Sequence, residues 1–321
     1  MFAMIQVAVL DDYQRVAGRM VDWPAVVPGA AVTFFADHEA DADRLVARLA
    51  RFEAVVAMRE RTPFPRSLLA RLPRLRLLVT TGMRNASIDL AAAAELGITV
   101  CGTAGSGTST AELTWALILA LVRHLPAEDA AVRAGGWQHT VGGDLAGARL
   151  GVLGLGNIGR RVAAVGLAFG MDVIAWSQNL TAEAAAAAGA RRVEREELFR
   201  EADVLTVHVV LSERTRGLVG RAELAAMKPT AYLVNTSRGP VVDEAALVEH
   251  LRAGRIAGAG LDVYGTEPLP PDDPVRTLPN TVLTPHIGYV TERIYRAFYR
   301  EAAEDVAAFL AGRPVRVLTP G

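Results

Sequence analysis

The chain has 321 residues and a mass of 34.2 kDa, a length that predicts roughly two domains at about 150 residues each. Hydrophobic residues make up 51% and charged residues 21%, and 34 Lys and Arg stand against 35 Asp and Glu, so a disordered chain is excluded and a dedicated nucleic-acid binder is disfavoured. The single cysteine, Cys101, excludes an internal disulfide framework and a cysteine-rich zinc site.

The amino-terminal segment, MFAMIQVAVLDDYQRV, predicts a first strand and not a signal peptide, because it lacks a basic beginning and soon meets Asp11 and Asp12. Uncharged stretches elsewhere are too short for a spanning helix, which needs about 20 mostly apolar residues. We therefore expect a cytoplasmic protein without a membrane partner, and the lone thiol fits a reducing compartment.

Short apolar runs alternate with helical segments along the chain. Most runs are apolar throughout, which is typical of strands covered on both faces of a parallel sheet, and the helical segments between them indicate βαβ units. The sequence therefore predicts an α/β fold. The predicted strands are Ile5–Leu10, Val32–Phe35, Ala54–Met58, Leu77–Thr80, Leu150–Leu155, Asp172–Ala175, Val204–Val207, Ala231–Val234, Gly258–Asp262 and Val282–Thr284.

Two longer helices are predicted besides those between the strands. An apolar helix, Ser109–His124, separates the first four strands from the part of the chain that is rich in glycine motifs. The last helix, Thr291–Ala311, must pack on one of the domains, because it carries an apolar stripe of Ile294, Phe298, Ala302, Val306 and Phe309.

The sharpest local motif is a glycine loop that follows the strand Leu150–Leu155 and opens a helix. It has the pattern G-x-G-x-x-G in the strand–loop–helix context that gives the pattern meaning. Gly154 permits a tight turn, Gly156 lets the backbone approach a pyrophosphate, and Gly159 allows close packing of helix and strand. With the free N–H groups of the helix start, the loop predicts a dinucleotide site that comprises Gly154, Gly156, Asn157, Ile158 and Gly159.

The next strand should carry the residue that binds the adenosine ribose. An acidic side chain at this place selects NAD, but the strand is followed by Ser177, Gln178 and Asn179. The acidic residue is therefore missing, and no arginine directly follows the strand to pair with the 2′-phosphate of NADP. Arg160, Arg191 and Arg192 are the arginines that could reach this phosphate. Ser177 and Gln178 are the candidate contacts, and the cofactor stays NAD or NADP, with NAD slightly favoured.

Three polar side chains that follow later strands provide the chemical groups that the reduction of a 2-oxo acid needs. The planar guanidinium of Arg238 can hold a carboxylate and the neighbouring carbonyl oxygen. The imidazole of His286 can donate a proton to that oxygen near neutral pH and remove it in the reverse reaction. A carboxylate from Glu267 on the other ring nitrogen would favour the imidazolium form.

Motifs from Thr110 to Gly288 resemble the D-isomer-specific 2-hydroxyacid dehydrogenases. They are Thr110-Ala111-Glu112, the glycine loop, Met227-Lys228-Pro229, Asn235-Thr236-Ser237-Arg238-Gly239, Gly260-Leu261-Asp262-Val263-Tyr264 with Glu267-Pro268-Leu269, and Thr284-Pro285-His286-Ile287-Gly288. The resemblance implies catalytic roles for Arg238, Glu267 and His286. It also implies cofactor contacts from His208, Thr215, Asn235, Thr236, Asp262 and Gly288, although Val210 stands where the family has proline.

The resemblance further implies two Rossmann-like, doubly wound parallel-sheet domains. A discontinuous, flavodoxin-like substrate domain would comprise residues 1–103 and 292–321, and an NAD(P)-binding domain would comprise residues 104–291. The helix Ser109–His124 and the segment through Trp137 would then lie near a two-fold interface of a homodimer.

The substrate loop is expected after the fourth strand, where the family presents backbone N–H groups to the substrate carboxylate. Gly82 and Met83 are the candidates for this contact. Arg59, which follows the third strand, is a candidate cation, and Arg84 is a weaker one. An inward-facing arginine would favour a substrate with a second anionic group.

The remaining titratable residues give no second site. The spacing of His, Asp and Glu supports no metal site, and hydride transfer needs no metal. His250 is interpreted as a helix-surface residue, His208 as a loop or cofactor-edge residue, and Cys101 as a small buried filler.

The resulting hypothesis is an NAD(P)-dependent D-2-hydroxyacid dehydrogenase, for example a reductase of glyoxylate or hydroxypyruvate. Phosphoglycerate dehydrogenase is the close alternative. An NAD-responsive corepressor that uses the same fold as a binding module remains open, since such relatives keep the three side chains. Formate dehydrogenase ranks low, because its family pattern has Gln at the position of Glu267.

Overall fold

A computed structural model describes residues 4–105 and 107–320 of the chain. The chain folds into two compact units. The first unit comprises Met1–Ser106 with Thr291–Gly321, and the second comprises Gly107–Val290. These limits lie within three residues of the domain boundaries that the sequence analysis expects.

The first unit is built on five parallel strands in the order β2-β1-β3-β4-β5. This order is that of flavodoxin-like sheets, so the predicted fold of this unit is confirmed. The strands are β1 (Ile5–Val9), β2 (Ala30–Phe34), β3 (Ala54–Ala57), β4 (Leu77–Thr80) and β5 (Thr99–Gly102). The helices are α1 (Ala17–Met20), α2 (Trp23–Val26), α3 (Ala42–Leu49), α4 (Arg66–Leu69), α5 (Leu90–Glu95) and α13 (Glu292–Leu310).

The second unit is built on seven parallel strands in the order β12-β11-β10-β9-β6-β7-β8. It is a doubly wound sheet, as predicted. The strands are β6 (Arg149–Leu153), β7 (Asp172–Trp176), β8 (Arg191–Arg192), β9 (Val204–Val207), β10 (Tyr232–Asn235), β11 (Gly258–Leu261) and β12 (Thr281–Leu283). The helices are α6 (Thr108–Val122), α7 (Leu125–Arg133), α8 (Asn157–Ala168), α9 (Ala182–Ala186), α10 (Arg195–Glu201), α11 (Arg221–Ala226) and α12 (Glu244–Arg252).

The sheet of the second unit is covered on both faces, which explains its continuously apolar strands. Alternate residues of β6 enter different cores: Leu150 and Val152 pack in one hydrophobic cluster and Leu153 packs in the other. Full burial of one such leucine contributes about 2 kcal/mol. The predicted strands are all present, and their ends agree with the observed ends to within two residues, whereas β5 and β8 were not predicted.

The last helix, α13, belongs to the first unit, where it packs against α1, α2 and β4. Its predicted stripe is buried at Ile294, Phe298, Ala302 and Val306. Phe309 is only half-buried, and the Arg76 guanidinium lies 5.4 Å from the centre of its ring. The stripe therefore ends one turn earlier than the sequence pattern indicates.

Two further expectations concern single side chains. His250 is 1% exposed and its Nδ1 lies 2.8 Å from the Ala246 carbonyl oxygen, so the interpretation as a surface residue is wrong. Cys101 is buried as expected, and this burial raises the pKa of its thiol to about 12.

In the described ranges, every helix is too short or too polar to cross a membrane.

Candidate active site

The three predicted catalytic side chains follow three adjacent parallel strands. Strands β10, β11 and β12 end in register, since Asn235 pairs with Leu261 and Leu261 pairs with Leu283. Arg238, Glu267 and His286 come shortly after these ends, at the carboxyl edge where α/β sheets bind their ligands. Residues far apart in the chain are thus brought to one edge of one sheet.

A direct backbone contact joins the loop after β10 to the loop after β11. Gly239 lies so close to Tyr264 that a Cβ at position 239 would be 2.0 Å from the Tyr264 carbonyl carbon and oxygen. Only glycine fits this contact without displacing backbone. The contact fixes the loop of Arg238 against the loop of Glu267.

His286 and Glu267 form a hydrogen-bonded pair. The imidazole Nδ1 lies 2.6 Å from Glu267 Oε2, and the two side chains are 16% and 29% exposed. The other carboxylate oxygen, Oε1, accepts a hydrogen bond of 2.8 Å from the backbone N–H of Tyr264. Because an ionised Glu267 requires the proton on Nδ1, Nε2 is the nitrogen that can meet a ligand.

The segment that carries His286 is held by Asp262, which follows β11. Asp262 accepts hydrogen bonds from the Thr284 hydroxyl (2.6 Å) and from the backbone N–H groups of Ile287 (2.8 Å) and Gly288 (2.9 Å). Burial raises the pKa of Asp262, and these donors oppose that effect. His286 itself has φ of +53°, a left-handed backbone that costs about 1–3 kcal/mol and that the surrounding bonds maintain.

Arg238 is presented by a loop that its neighbours stabilise. Asn235 donates from Nδ2 to the Arg238 carbonyl oxygen (3.1 Å) and accepts from the Ser237 N–H (3.0 Å). The hydroxyl oxygens of Thr236 and Thr114 lie 2.8 Å apart. Asn235 and Thr236, predicted as cofactor contacts, therefore also shape the loop that carries Arg238, whose Nη1 donates to the Ser237 carbonyl oxygen (2.7 Å).

The glycine loop has the geometry that its pattern predicts. Gly154 has φ of +100°, and a Cβ there would lie 2.8 Å from the His208 carbonyl carbon. A Cβ at Gly159 would lie 2.1 Å from the Gly154 carbonyl oxygen. At Gly156, by contrast, a Cβ would meet no atom of the described chain within 4 Å.

The difference between these glycines fits a bound pyrophosphate. The packing of the protein explains Gly154 and Gly159 but gives no reason for a glycine at position 156. Gly156 precedes α8, whose first turn contains Asn157 and Ile158, and none of the described side chains caps this helix. Its free N–H groups and the open space above Gly156 suit the phosphates of a dinucleotide.

The loop also lies at the place where ligands bind to doubly wound sheets. The direction of winding reverses between β6 and β9, and the glycine loop and His208 follow these two strands. Burial lowers the pKa of His208 to about 3, so its imidazole is neutral, with Nε2 3.0 Å from the Thr206 hydroxyl oxygen. The neighbouring loop closes on itself through Thr215, whose hydroxyl donates to the Val210 carbonyl oxygen (2.6 Å).

The position predicted for the adenosine ribose is polar and uncharged. Ser177 is half-buried and Gln178 is exposed directly after β7. Arg191 and Arg192 are paired with Glu197 (2.9 Å) and Glu194 (2.8 Å), and Arg160 Nε donates to the Leu155 carbonyl oxygen (3.2 Å). These contacts engage each of the three arginines considered for a 2′-phosphate.

The predicted substrate loop lies in the first unit, after β4. The N–H of Gly82 donates to the Thr103 hydroxyl (2.9 Å), a contact within the first unit that the sequence analysis did not foresee, and the role of Gly82 in substrate binding stays a prediction. Met83, the second candidate, is 47% exposed. Asn85, which the sequence analysis did not single out, organises the loop by donating to the carbonyl oxygen of Arg59 (2.7 Å) and to the Thr80 hydroxyl (2.9 Å).

Arg59 lies over the same loop. Its Nη1 donates to the Thr81 carbonyl oxygen (3.3 Å), and its Nε is 3.6 Å from Glu60. A Cβ on Gly82 would lie 1.9 Å from that Nη1, so glycine is required there for the guanidinium to take this position. Arg59 and the Gly82–Met83 turn are thus adjacent, as expected, while Arg84 is exposed.

Tyr264 is a site residue that sequence reasoning missed. Besides its N–H to Glu267, its hydroxyl lies 3.1 Å from the Leu261 carbonyl oxygen and 3.0 Å from that of Thr284. It therefore ties the end of β11 to the end of β12. The only sequence signal was its place in the motif that ends in Val263-Tyr264.

Among the described residues, no three His, Cys, Asp or Glu side chains group as a metal site.

Comparisons with known proteins identify relatives of this chain. Residues 115–288 match the family described as D-isomer specific 2-hydroxyacid dehydrogenase, NAD binding domain. A glyoxylate reductase of Aeropyrum pernix is 43% identical over 256 residues, which cover 77% of this chain and 76% of that protein. A phosphoglycerate oxidoreductase structure from Vibrio cholerae O395 has a TM-score of 0.92 at 40% identity and covers 96% of this chain and 100% of its own.

A D-3-phosphoglycerate dehydrogenase of Archaeoglobus fulgidus is also similar, at 37% identity over 85% of this chain. The chain spans about half the length of that relative, since the match covers 52% of it. A glycine loop at the switch point of a doubly wound sheet is typical of dinucleotide-binding domains. The chain belongs to the D-isomer-specific 2-hydroxyacid dehydrogenase family, and it is an enzyme that uses NAD or NADP.

Proposed function

We propose that this protein reduces a small 2-oxo acid to the D-2-hydroxy acid and also runs the reverse oxidation. One observation carries the proposal: three in-register strands bring Arg238, Glu267 and His286 to the sheet edge that also carries the glycine loop. The 2.6 Å bond between Nδ1 of His286 and Oε2 of Glu267 supports an acid–base role for the imidazole.

In this mechanism Arg238 binds the substrate carboxylate and orients the carbonyl group. Its forked guanidinium offers parallel N–H donors that match a carboxylate and an adjacent carbonyl oxygen. His286 then donates the Nε2 proton to the carbonyl oxygen as negative charge develops there. Glu267 holds the Nδ1 proton through its hydrogen bond and thereby fixes the tautomer and the orientation of the ring.

When bound, the nicotinamide ring supplies the hydride that the carbonyl carbon accepts. The glycine loop and the first turn of α8 would hold the pyrophosphate, with Gly156 allowing close approach. Ser177 and Gln178 bring no negative charge to the ribose position, so neither nucleotide is repelled there. We therefore propose that both NADH and NADPH serve, with NADH somewhat preferred.

The substrate class follows from the similarity to glyoxylate reductase and from the loop in the first unit. Glyoxylate and hydroxypyruvate are the proposed substrates. The Gly82–Met83 turn is proposed to offer a backbone N–H to the substrate carboxylate, and Arg59 is proposed as a further cation beside this turn. A phosphorylated 2-oxo acid is the second candidate, because Arg59 adds a cation that a second anionic group would meet.

The decisive experiment is a substrate panel followed by nucleotide absorbance at 340 nm. Glyoxylate, hydroxypyruvate and 3-phosphohydroxypyruvate are each tested with NADH and with NADPH, and the product is assigned as D or L by chiral chromatography. Turnover of one or more acids to the D product is expected. Tight nucleotide binding without turnover of any 2-oxo acid would contradict the proposal and favour the corepressor class.

We further propose that the protein is a homodimer. Every residue of α7 is exposed or half-buried, and the exposed apolar side chains Leu125, Val132, Trp137 and Val141 lie on it or on the segment that follows. Most apolar residues of α6, among them Trp115, Leu117 and Ile118, pack inside the second unit instead, which favours α7 and this segment as the proposed interface. Light scattering should give twice the chain mass, and a monomer mass would contradict the proposal.

A further inference from the structure

An aromatic ring that no part of the proposed mechanism uses lies directly beside the His286 imidazole. Tyr289 is 9% exposed, and its ring centre is 5.4 Å from the centre of the imidazole. The two ring planes are inclined by 80°, the edge-to-face arrangement that aromatic pairs favour. The neighbouring family motif ends at Gly288, so this residue was not identified from the motifs.

The backbone brings Tyr289 back to His286 by a tight turn. The Val290 N–H donates to the Ile287 carbonyl oxygen (2.8 Å), and the N–H groups of Ile287 and Gly288 are held by Asp262. The Gly288 carbonyl oxygen accepts from the Thr110 hydroxyl (3.2 Å). The tyrosine is therefore carried by an anchored segment, which places its ring against the imidazole.

The hydrogen bond to Glu267 does not by itself fix the orientation of the His286 ring. A single hydrogen bond at Nδ1 restrains that nitrogen. Small coupled rotations about the Cα–Cβ and Cβ–Cγ bonds of His286 still move Nε2 sideways, because the Glu267 side chain can follow them. A buried ring packed at 80° against the imidazole opposes these rotations. Sideways displacement of a reacting atom by about 1 Å costs on the order of a hundredfold in rate.

We propose that Tyr289 is a positioning residue that holds the His286 ring so that Nε2 stays aimed at the substrate carbonyl oxygen. The proposal rests on the proposed function, in which His286 is the proton donor. The aromatic ring, and not the phenol hydroxyl, carries the effect. Tyr289 acts through His286, so the loss of the ring should lower kcat while nucleotide affinity is kept.

The kinetic test compares Tyr289→Phe with Tyr289→Leu, and uses Tyr289→Met as a second ring deletion in case the leucine variant folds poorly. We expect kcat to fall about tenfold in the Leu and Met variants and to stay within about twofold in the Phe variant, with NADH affinity unchanged in all. An unchanged kcat after ring deletion, or an equal loss in the Phe variant, would overturn the proposal.

Tyr299→Leu is the matched control for the loss of a buried aromatic ring. Tyr299 is 1% exposed and forms an edge-to-face pair with Tyr295 in the first unit, with centres 5.7 Å apart and planes inclined by 75°. This variant should lose stability but keep kcat. An equal fall in kcat in the control would mean that general destabilisation, and not the His286 contact, explains the Tyr289 result.

A double-mutant cycle with Glu267→Gln separates positioning from mere packing. If both residues restrain one imidazole, the double variant loses less activity than the product of the two single losses. Multiplicative losses would show that Tyr289 and Glu267 act independently, which contradicts the proposal.

A spectroscopic readout keeps this inference distinct from the proposed function. If the wild-type protein reduces no 2-oxo acid, the function fails, but the ring contact is still tested by proton and nitrogen NMR of the histidine side chains. The His286 Hδ1 signal, assigned by its absence in His286→Gln, should persist in Tyr289→Phe and broaden in Tyr289→Leu. A signal equally sharp in Tyr289→Leu would overturn the positioning role.

Discussion

Each unit of this protein places a histidine–carboxylate pair at the carboxyl edge of a parallel sheet. In the first unit, His38 Nδ1 lies 2.9 Å from Asp11 Oδ1, and in the second, His286 Nδ1 lies 2.6 Å from Glu267 Oε2. The histidine side chains are similarly exposed, at 15% and 16%. The two pairs therefore cannot be distinguished by the distance between their atoms or by the exposure of the histidine.

The surroundings of the two carboxylates differ. Asp11 is 1% exposed and its second oxygen accepts the Thr62 hydroxyl (2.7 Å), while Arg61 donates to its backbone carbonyl oxygen (2.8 Å). The pair thus joins the ends of β1 and β2 as a closed structural network. The pair of the second unit instead lies beside the loop of Arg238 in a sheet that also carries a glycine loop. The neighbours, and not the pair, indicate chemistry.

The largest expected effect distinguishes the two histidines directly. His286→Gln should lower kcat by about a thousandfold, because general acid–base catalysis is lost, while NADH binding persists. His38→Gln should keep kcat within about twofold. Steady-state kinetics and nucleotide titration of both variants provide the measurement. Wild-type turnover in His286→Gln would remove that residue from the mechanism, and a comparable loss in His38→Gln would break the contrast.

A second prediction concerns the glycine loop, which has no counterpart after β1. Gly156→Ala should weaken NADH binding about tenfold or more, because the added methyl group would occupy the space proposed for the pyrophosphate. The melting temperature should stay unchanged, since the methyl group meets no described atom within 4 Å. Gly29→Ala, equally uncrowded, is the control. Unchanged nucleotide affinity in Gly156→Ala would contradict the placement of the phosphates.

A third prediction tests whether the first unit contributes to catalysis through Arg59. Arg59→Ala should raise the substrate KM about tenfold, the loss of one charge-assisted contact, and leave the cofactor KM unchanged. Arg84→Ala, at an exposed position of the loop after β4, serves as the control and should change neither value by more than about twofold. Equal, small changes in both KM values for Arg59→Ala would reject its assignment to the substrate.

The smallest effect concerns stability. The hydrogen bond to Asp11 raises the pKa of His38 above its ordinary value, and Glu39 adds to this while burial and Arg48 oppose it. The stabilisation of the folded state by the His38–Asp11 pair is therefore fully present below about pH 6.5, and it is lost as the pH rises through the pKa of His38 in the folded state. His38→Gln should lower the free energy of unfolding by about 1 kcal/mol at pH 6 and by less at pH 9. A loss in urea titrations that grows with pH would contradict this sign.

The parts of the fold that the sequence predicted are those that long apolar runs and local motifs determine. Strand β8 has two residues, Arg191 and Arg192, and lies at the edge of its sheet, so it has no apolar run to recognise. His250 was misjudged because its hydrogen bond to a carbonyl oxygen four residues earlier makes burial possible. A polar residue type alone does not reveal such a partner.

In the candidate site, sequence order predicted which side chains follow neighbouring strands but not how they are held. Arg238, Glu267 and His286 could be placed at one sheet edge because each follows an apolar strand. The contact of Gly82 with Thr103 and that of Tyr289 with His286 depend on loop conformation, which no periodic pattern specifies. Loop residues were therefore the ones whose partners were missed.

The contact between Gly239 and the Tyr264 backbone has a practical consequence for redesign. Any side chain at position 239 would act as a wedge of at least one methyl group between two loops whose spacing is set by main-chain atoms. In a mutant library that randomises this position, most variants would have these two loops misaligned. Effort to change which acid is accepted is better directed at side chains that project from these loops, with Gly239 left untouched.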